Sequence, residues 1–390
     1  MSFVDTFNQL PDRKSPLLQR FSSLIAPKSD QELEGMARSS QAITRKHFGR
    51  TMRMFAPLYL SNECINNCKY CGFSRDNPIL RVTLSIDQVI KEARHLTDQG
   101  FRNILLVAGE HPKFVSDGYL EACIEAIRPF VPTIGIEVGP MEAPEYARMV
   151  QAGAEGLVVY QETYDRTEYA DLHTAGPKKN FDWRLECPER GYAGGFRRIG
   201  IGALFGLGDW RWEALALAAH LEFLQQHCWK SSFTVSFPRM RPAAGQFHPK
   251  FSLTDREYVQ LIVAFRMVFP EVGIVLSTRE DAQLRDSLFP LGITAASAGS
   301  HTEPGGYTGE GSDDLHLTLR GKRVELEPPS TGSKDCSRAT EQFGIADTRT
   351  PVQVAEALSA MGLDPVWKDW DEAILSTARL ASAAATIVAP

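Results

Sequence analysis

At 390 residues, with 43% hydrophobic and 23% charged content, the chain is long enough for one large α/β domain with appendages or for two smaller domains. Its 42 basic and 48 acidic residues leave a net charge of −6 with no lysine-arginine stripe, which argues against nucleic acid or an acidic membrane surface as a partner. No run of eighteen apolar residues and no leader-like N-terminus occur, and seven cysteines, three clustered and four scattered (Cys123, Cys187, Cys228, Cys336), suit a reducing compartment, so a cytoplasmic protein is expected.

Residues 1 to about 50 carry a helical pattern, interrupted at Pro27 and Ser29-Asp30, and are expected to form a helical cap packed on the main domain. From Met54 onward short apolar runs alternate with longer amphipathic segments, the pattern of repeated βα units. The predicted strands are Met54 to Leu60, Asn103 to Val107, Thr133 to Val138, Gly156 to Tyr160, Arg198 to Leu204, Phe233 to Phe237, Gly273 to Ser277 and Thr294 to Ala298. Helices are predicted from Ser85, where Ser85 and Gln88 form a capping box, and over Tyr119 to Ile127, Pro144 to Gln151, Trp210 to Gln226, Thr254 to Val268 and Asp281 to Ser287. Eight strands alternating with helices predict an α/β fold of the (β/α)8 barrel type over residues 51–304, with a doubly wound open sheet as the alternative. The polar, glycine-rich stretch 305–342 predicts an exposed loop, and 343–390 a helical segment that closes the barrel, with a helix at Pro351 to Met361 capped by Gly362.

Cys64, Cys68 and Cys71 lie in a short loop after the first strand. Thiolates are soft ligands for zinc, copper(I) or iron-sulfur clusters. Three local ligands leave a tetrahedral zinc site one short, and no second C-x-x-C or H-x-x-x-H motif completes it. The alternatives are a remote fourth ligand, three unrelated buried thiols, or a 4Fe-4S cluster with one iron left open.

Other groups gather at strand ends, where barrel and open-sheet enzymes alike place their chemistry. Ala108-Gly109-Glu110 follows the second strand, Gln161-Glu162-Thr163-Tyr164 the fourth, and Arg184 lies in Phe181-Asp182-Trp183-Arg184-Leu185. Gly200-Ile201-Gly202 would let a backbone approach a flat ring closely. Arg279, after the seventh strand, and Ser297, in the eighth, can jointly hold a carboxylate, unless Arg279 pairs with its neighbour Glu280 and Ser297 is only a buried strand hydroxyl. Arg239 and Arg241 flank Met240 on a stiff turn; ligand binding and structural pairing are both open for them.

The motif Cys64-x-x-x-Cys68-x-Tyr70-Cys71 resembles the signature of radical S-adenosylmethionine (SAM) enzymes, with Tyr70 as its aromatic residue. Together with Leu58 to Asn62, Lys178 to Arg184, Ser277 to Glu280, Glu303 to Tyr307 and Val366 to Asp371, it resembles the aromatic amino acid lyase branch, most of all the tyrosine lyases of thiazole biosynthesis. That resemblance implies one 4Fe-4S cluster on the three cysteines and a bound SAM. It implies that Gly109 and Glu110 take the methionine amino group, Glu162 the ribose hydroxyls, Arg184 the methionine carboxylate and the Gly202 strand the adenine.

It further implies cleavage of the tyrosine Cα–Cβ bond to p-cresol and 2-iminoacetate, with Arg279 and Ser297 clamping the substrate carboxylate. A thiazole synthase would be the partner, and a flavodoxin- or ferredoxin-type protein the electron donor. Related lyases that act on tryptophan, or on tyrosine for hydrogenase maturation, share the barrel, although the second of these carries a C-terminal cysteine cluster and this tail has no cysteine after Cys336. A non-enzymatic iron-sulfur sensor or scaffold is the contrasting reading, and it requires a closed cluster without a SAM pocket.

Overall fold

A computed structural model describes residues 2–10, 15–115, 118–324 and 338–367. Eight strands form its centre: β1 (Thr51–Ser61), β2 (Asn103–Ala108), β3 (Thr133–Glu137), β4 (Gly156–Glu162), β5 (Arg198–Ala203), β6 (Ser232–Ser236), β7 (Gly273–Leu276) and β8 (Ala295–Ser297). All pair in parallel and in chain order. β1 meets β2 through Ala56↔Ile104 to Ser61↔Ala108 and meets β8 through Arg53↔Ala295 to Phe55↔Ser297, which closes the barrel. The open sheet is thereby excluded.

Period-2 alternation sorts the side chains between two layers. Met54, Ala56, Leu58 and Leu60 of β1 are fully buried under the helices, whereas Phe55, Pro57 and Tyr59 point inward and line the central cavity. The same alternation sets Ile134 and Ile136 outward and Glu137 inward on β3, and Leu157 and Val159 outward with Tyr160 and Glu162 inward on β4. Burial on both faces explains why these strands read as nearly continuous apolar runs.

The helices start where the capping chemistry places them. Ser85 accepts from the Gln88 amide at 3.4 Å while the Gln88 side chain accepts from the Ser85 amide at 2.7 Å, opening the helix Ile86–Asp98. The same box opens Asp255–Val268 at Thr254/Glu257 and Pro351–Ala360 at Thr350/Gln353. At the N-terminus, Pro16–Ile25 and Asp30–Phe48 pack against Asp255–Val268 on the outside of the barrel. Near the other end, Asp364–Val366 pairs in parallel with the start of β1, and Trp367 packs edge-on to Phe101.

The segment 305–342 departs from the exposed loop that its composition suggests. His316–Leu319 and Lys322–Val324 form a hairpin that adds to Ile79–Arg81 beside the cysteine loop, with His316↔Arg81 and Thr318↔Ile79 in register. Farther along, the Thr340 amide donates to Leu80 O, and Gln342 O accepts from the Gly72 amide at 3.0 Å. Backbone pairing to a remote strand, not apolar side chains, holds these residues in place. Cys336 lies outside the described residues, as does the chain from residue 368 onward, including most of the Trp367-Lys368-Asp369-Trp370 motif.

Candidate active site

The cysteine loop is built onto the C-terminal end of β1. Arg81, buried to 1% exposure, reaches into it and donates to the carbonyls of Asn62, Phe73 (3.0 Å) and Ser74 (2.8 Å) and to Thr318 Oγ1 (2.6 Å). Asn77 Nδ2 donates to Cys71 O and Gly72 O, both at 3.0 Å. Gly109, at the end of β2, passes so close to the loop that a Cβ there would lie 2.2 Å from Glu63 O, so only glycine fits.

The cysteines carry no disulfide. Amide side chains face two of the sulfurs: Asn66 Nδ2 is 3.7 Å from Cys64 Sγ, and Gln342 Nε2, whose Oε1 accepts from Tyr59 OH, is 3.9 Å from Cys71 Sγ. Burial pushes the thiols of Cys68 and Cys71 up, Lys178 partly opposes this, and the neighbouring thiols add to it. Thiolates so crowded and desolvated suit a cationic inorganic core. Among the described residues no group of three His, Cys, Asp or Glu side chains is arranged to hold a single metal ion. A cubane takes one thiolate at each of three separate corners, and this donor set fits one.

Tyr70 and Cys71 form one wall of a cavity of about 1130 Å³, its open mouth included. Tyr70 is oriented by a 2.8 Å hydrogen bond between its hydroxyl and His173 Nε2, while His173 Nδ1 donates to Tyr169 O. Burial pulls His173 down to about 3, so the ring is neutral.

Glu162 enters the cavity from β4 with φ +74°, a left-handed conformation that is costly for a glutamate. Its Oε1 accepts from Lys178 Nζ at 2.7 Å and from Arg184 Nη2 at 3.3 Å. Arg184 Nε is held by Tyr160 O at 2.7 Å. Burial raises the Glu162 carboxyl, but the two cations outweigh burial and keep it below the ordinary value. Arg184 is thus buried in an ion triad and is not a surface arginine.

The same cavity is lined by Arg279, Ser297 and Ser300. Arg279 stacks on Phe343, its Cζ 3.3 Å from the ring centroid, and no carboxylate of the described residues lies within ion-pairing range. Glu280 does not neutralise it, because Glu280 pairs with Arg239. Ser300 Oγ is buried without a hydrogen-bond partner among the described residues. Arg239, which also holds Asp255 at 2.7 Å, is therefore structural, while Arg241 reaches the cavity wall.

Three expected residues, Gly109, Glu110 and Gly202, lie elsewhere. Glu110 accepts from Asn66 Nδ2 at 2.6 Å and, with Gly109, lines a separate recess lying between the cysteine loop and Gly139. Gly202 does not line the cavity: a Cβ there would meet Ser236 O at 2.6 Å and the Tyr160 ring at 2.7 Å, so neighbouring strands fill its space. Lys178, Glu137, Ser300 and Gln342 all reach the cavity; Lys178 opens the family-like stretch Lys178 to Arg184 without having been assigned a role, and no sequence motif marks the other three. For Glu137 the available signal is periodicity, since outward Ile134 and Ile136 force the intervening positions inward.

Comparison with known proteins agrees with this arrangement. The Radical SAM superfamily model matches residues 58–219, and that of the Biotin and Thiamin Synthesis associated domain matches residues 236–364. The chain is 43% identical over 350 residues to a 2-iminoacetate synthase of Escherichia coli, covering 90% of this chain and 86% of that protein. A 2-iminoacetate synthase of Salmonella typhimurium is 42% identical over the same shares. Among solved structures, the FeFe-hydrogenase maturase HydG from Carboxydothermus hydrogenoformans superposes with a TM-score of 0.79 at 32% identity, covering 94% of this chain and 79% of that chain. With closed barrel, cysteine loop and sequence in agreement, the chain belongs to the 2-iminoacetate synthase family of radical SAM enzymes.

Proposed function

We propose that the chain cleaves the Cα–Cβ bond of L-tyrosine to 2-iminoacetate and p-cresol, with SAM converted to 5′-deoxyadenosine and methionine, for thiamine thiazole biosynthesis. The observation that carries this reading is one cavity lined both by Cys71 and Tyr70 and by Arg279 and Ser297, in a chain 43% identical to a 2-iminoacetate synthase.

Cys64, Cys68 and Cys71 hold a single 4Fe-4S cluster. Glu162 and Arg184 would hold SAM at the ribose and methionine ends, with Tyr70 beside the cluster. Bound there and reduced, the cluster with SAM would supply the radical chemistry that removes a hydrogen atom from the substrate. Arg279 pairs with the substrate carboxylate, Ser297 donates to it, and Ser300 stands ready as a second hydroxyl. Phe55, Pro57, Leu105 and Val107 keep water from the barrel interior, where a radical would otherwise be quenched.

A thiazole synthase that captures the unstable imine, a flavodoxin- or ferredoxin-type donor and a cytoplasmic location complete the reading. Among the described residues no helix is long and apolar enough to cross a membrane.

The test is anaerobic reconstitution with iron and sulfide, then incubation with SAM, dithionite and either tyrosine or tryptophan. Formation of p-cresol and of glyoxylate, the hydrolysis product of 2-iminoacetate, in step with 5′-deoxyadenosine is expected with tyrosine. Cleavage of tryptophan in preference, or no amino acid cleavage at all, overturns it.

A further inference from the structure

The charges of the cavity do not balance among themselves. Glu162 is matched by Lys178 and Arg184. Among the described residues, Arg279 has no carboxylate in range, and the side chain of Glu137, the last residue of β3, makes no hydrogen bond or ion pair although it lines the same cavity. β3 and β7 stand four places apart in a ring of eight, so Glu137 faces the strand end that carries Arg279. Each influences the other's ionisation without touching it. Arg241 is a further cation at the cavity wall, with its Nε turned toward Gly344 O at 3.4 Å. Glu137 is the lining carboxylate without a cation among the described residues, and with Arg279 across the cavity it forms the complement of a zwitterion.

We propose that Glu137 receives the α-amino group of the substrate while Arg279 and Ser297 hold its carboxylate, so that each of these two charges meets its opposite in the head of an α-amino acid. This rests on the tyrosine lyase reading and adds the residue that distinguishes an amino acid from the corresponding arylpropanoate. The two charged groups of an α-amino acid hang from one carbon, so the amine must lie close to the clamp. An ammonium buried there without an anion would be strongly disfavoured, whereas a phenol is satisfied by a neutral acceptor. Glu162 cannot serve as readily, because its Oε1 already accepts from two cations. Burial, reinforced by the charge of Glu162, pushes the Glu137 carboxyl up to about 7 against the pull of Arg279, Arg184 and Lys178. That is the behaviour of an anion whose cation is supplied from outside.

The experiment uses the reconstituted, SAM-loaded enzyme and measures KM for tyrosine with inhibition constants for 3-(4-hydroxyphenyl)propanoate, which lacks the amine, and for L-phenylalanine, which lacks the hydroxyl. Wild type should favour tyrosine over the desamino acid by on the order of 30-fold, the range of a charge-assisted hydrogen bond. Glu137→Gln should raise KM for tyrosine and the inhibition constant for phenylalanine by about tenfold or more and leave the desamino acid unchanged, collapsing that preference. Glu137→Asp should keep part of it. An undiminished preference in Glu137→Gln, equal weakening of all three ligands, or a loss that follows the hydroxyl overturns the assignment. Iron content after reconstitution controls for folding, and if the Gln variant does not load, the Asp variant decides by whether its preference falls below that of wild type. Absence of p-cresol from wild type would instead refute the lyase reading itself.

Discussion

Arg239 grips Glu280 through both carboxylate oxygens, with Nε 3.0 and 3.1 Å away, and by doing so leaves the adjacent Arg279 without a carboxylate. Glu280 is 4% exposed and Arg239 also holds Asp255, so the pair works as a fixed strut between the ends of β6 and β7. The Arg-Glu step in the chain thus splits into a structural half and a free half that rests on Phe343.

Substitution should separate those halves. Arg279→Ala is expected to raise KM for tyrosine by on the order of 10- to 100-fold, the range for a charge-assisted pair, while leaving SAM binding intact. Arg239→Ala should instead strand a buried carboxylate and cost about 3 kcal/mol of stability. Steady-state kinetics and thermal unfolding report the two effects separately. An Arg279→Ala enzyme with unaltered KM for tyrosine would remove the clamp from the mechanism.

Arg81 offers a second contrast, between the barrel and the loop it carries. Arg81→Met keeps most of the volume but deprives the carbonyls of Asn62, Phe73 and Ser74 of donors in a region with little access to water. Each lost bond to a charged donor is worth about 1–3 kcal/mol, and all three fall in the stretch that presents the cysteines. Iron bound per chain after reconstitution should drop well below wild type while far-ultraviolet circular dichroism remains that of an intact barrel. Full iron loading would show that the loop is held by other contacts.

Lys178 supports Glu162, and its removal changes the balance between burial and charge. In Lys178→Met, burial is opposed chiefly by Arg184, so the Glu162 carboxyl should rise. If the ionised form accepts from SAM, the affinity for SAM in wild type is flat across neutral pH, because the depressed carboxyl ionises well below it. The variant should bind SAM more weakly as pH falls from 8 to 6. Equilibrium binding of SAM to the unreduced, reconstituted protein at several pH values measures this, and a variant as flat as wild type would take Glu162 out of the SAM site.

The barrel was legible because strands buried on both faces must be apolar along their length; Asn103–Ala108 and Gly156–Glu162 appear as such runs. The cysteine loop was legible because its spacing is a chemical requirement. The hairpin at 316–324 was not, since His316, Leu317 and Thr318 pair through backbone with Ile79–Arg81, more than 230 positions earlier. Nor did neighbouring letters reveal that Glu280 would choose Arg239. Gly202 suggested a ligand by its smallness, yet the room is taken by Tyr160. Glu137 is hidden in the sequence because a single glutamate ending a strand has no signature beyond its inward parity.

That same Glu137 predicts a cost to the fold that its proposed role explains. Its carboxyl is raised by burial and by Glu162 to about 7, from an ordinary value near 4.5. Between those two pH values the folded chain binds more protons here than the unfolded chain, so stability falls as pH rises through the window and stays low above it. Below pH 4.5 both states are protonated and the contribution vanishes. Glu137→Gln removes the ionisation altogether, so the cluster-free variant should melt higher than wild type at pH 8, by on the order of a degree or two, and the gap should close toward pH 5. Tyrosine binding should move the other way, since the anion that destabilises the empty cavity is the one that meets the ammonium. A variant that melts no higher than wild type at pH 8 would mean that Glu137 already has a satisfied environment without substrate.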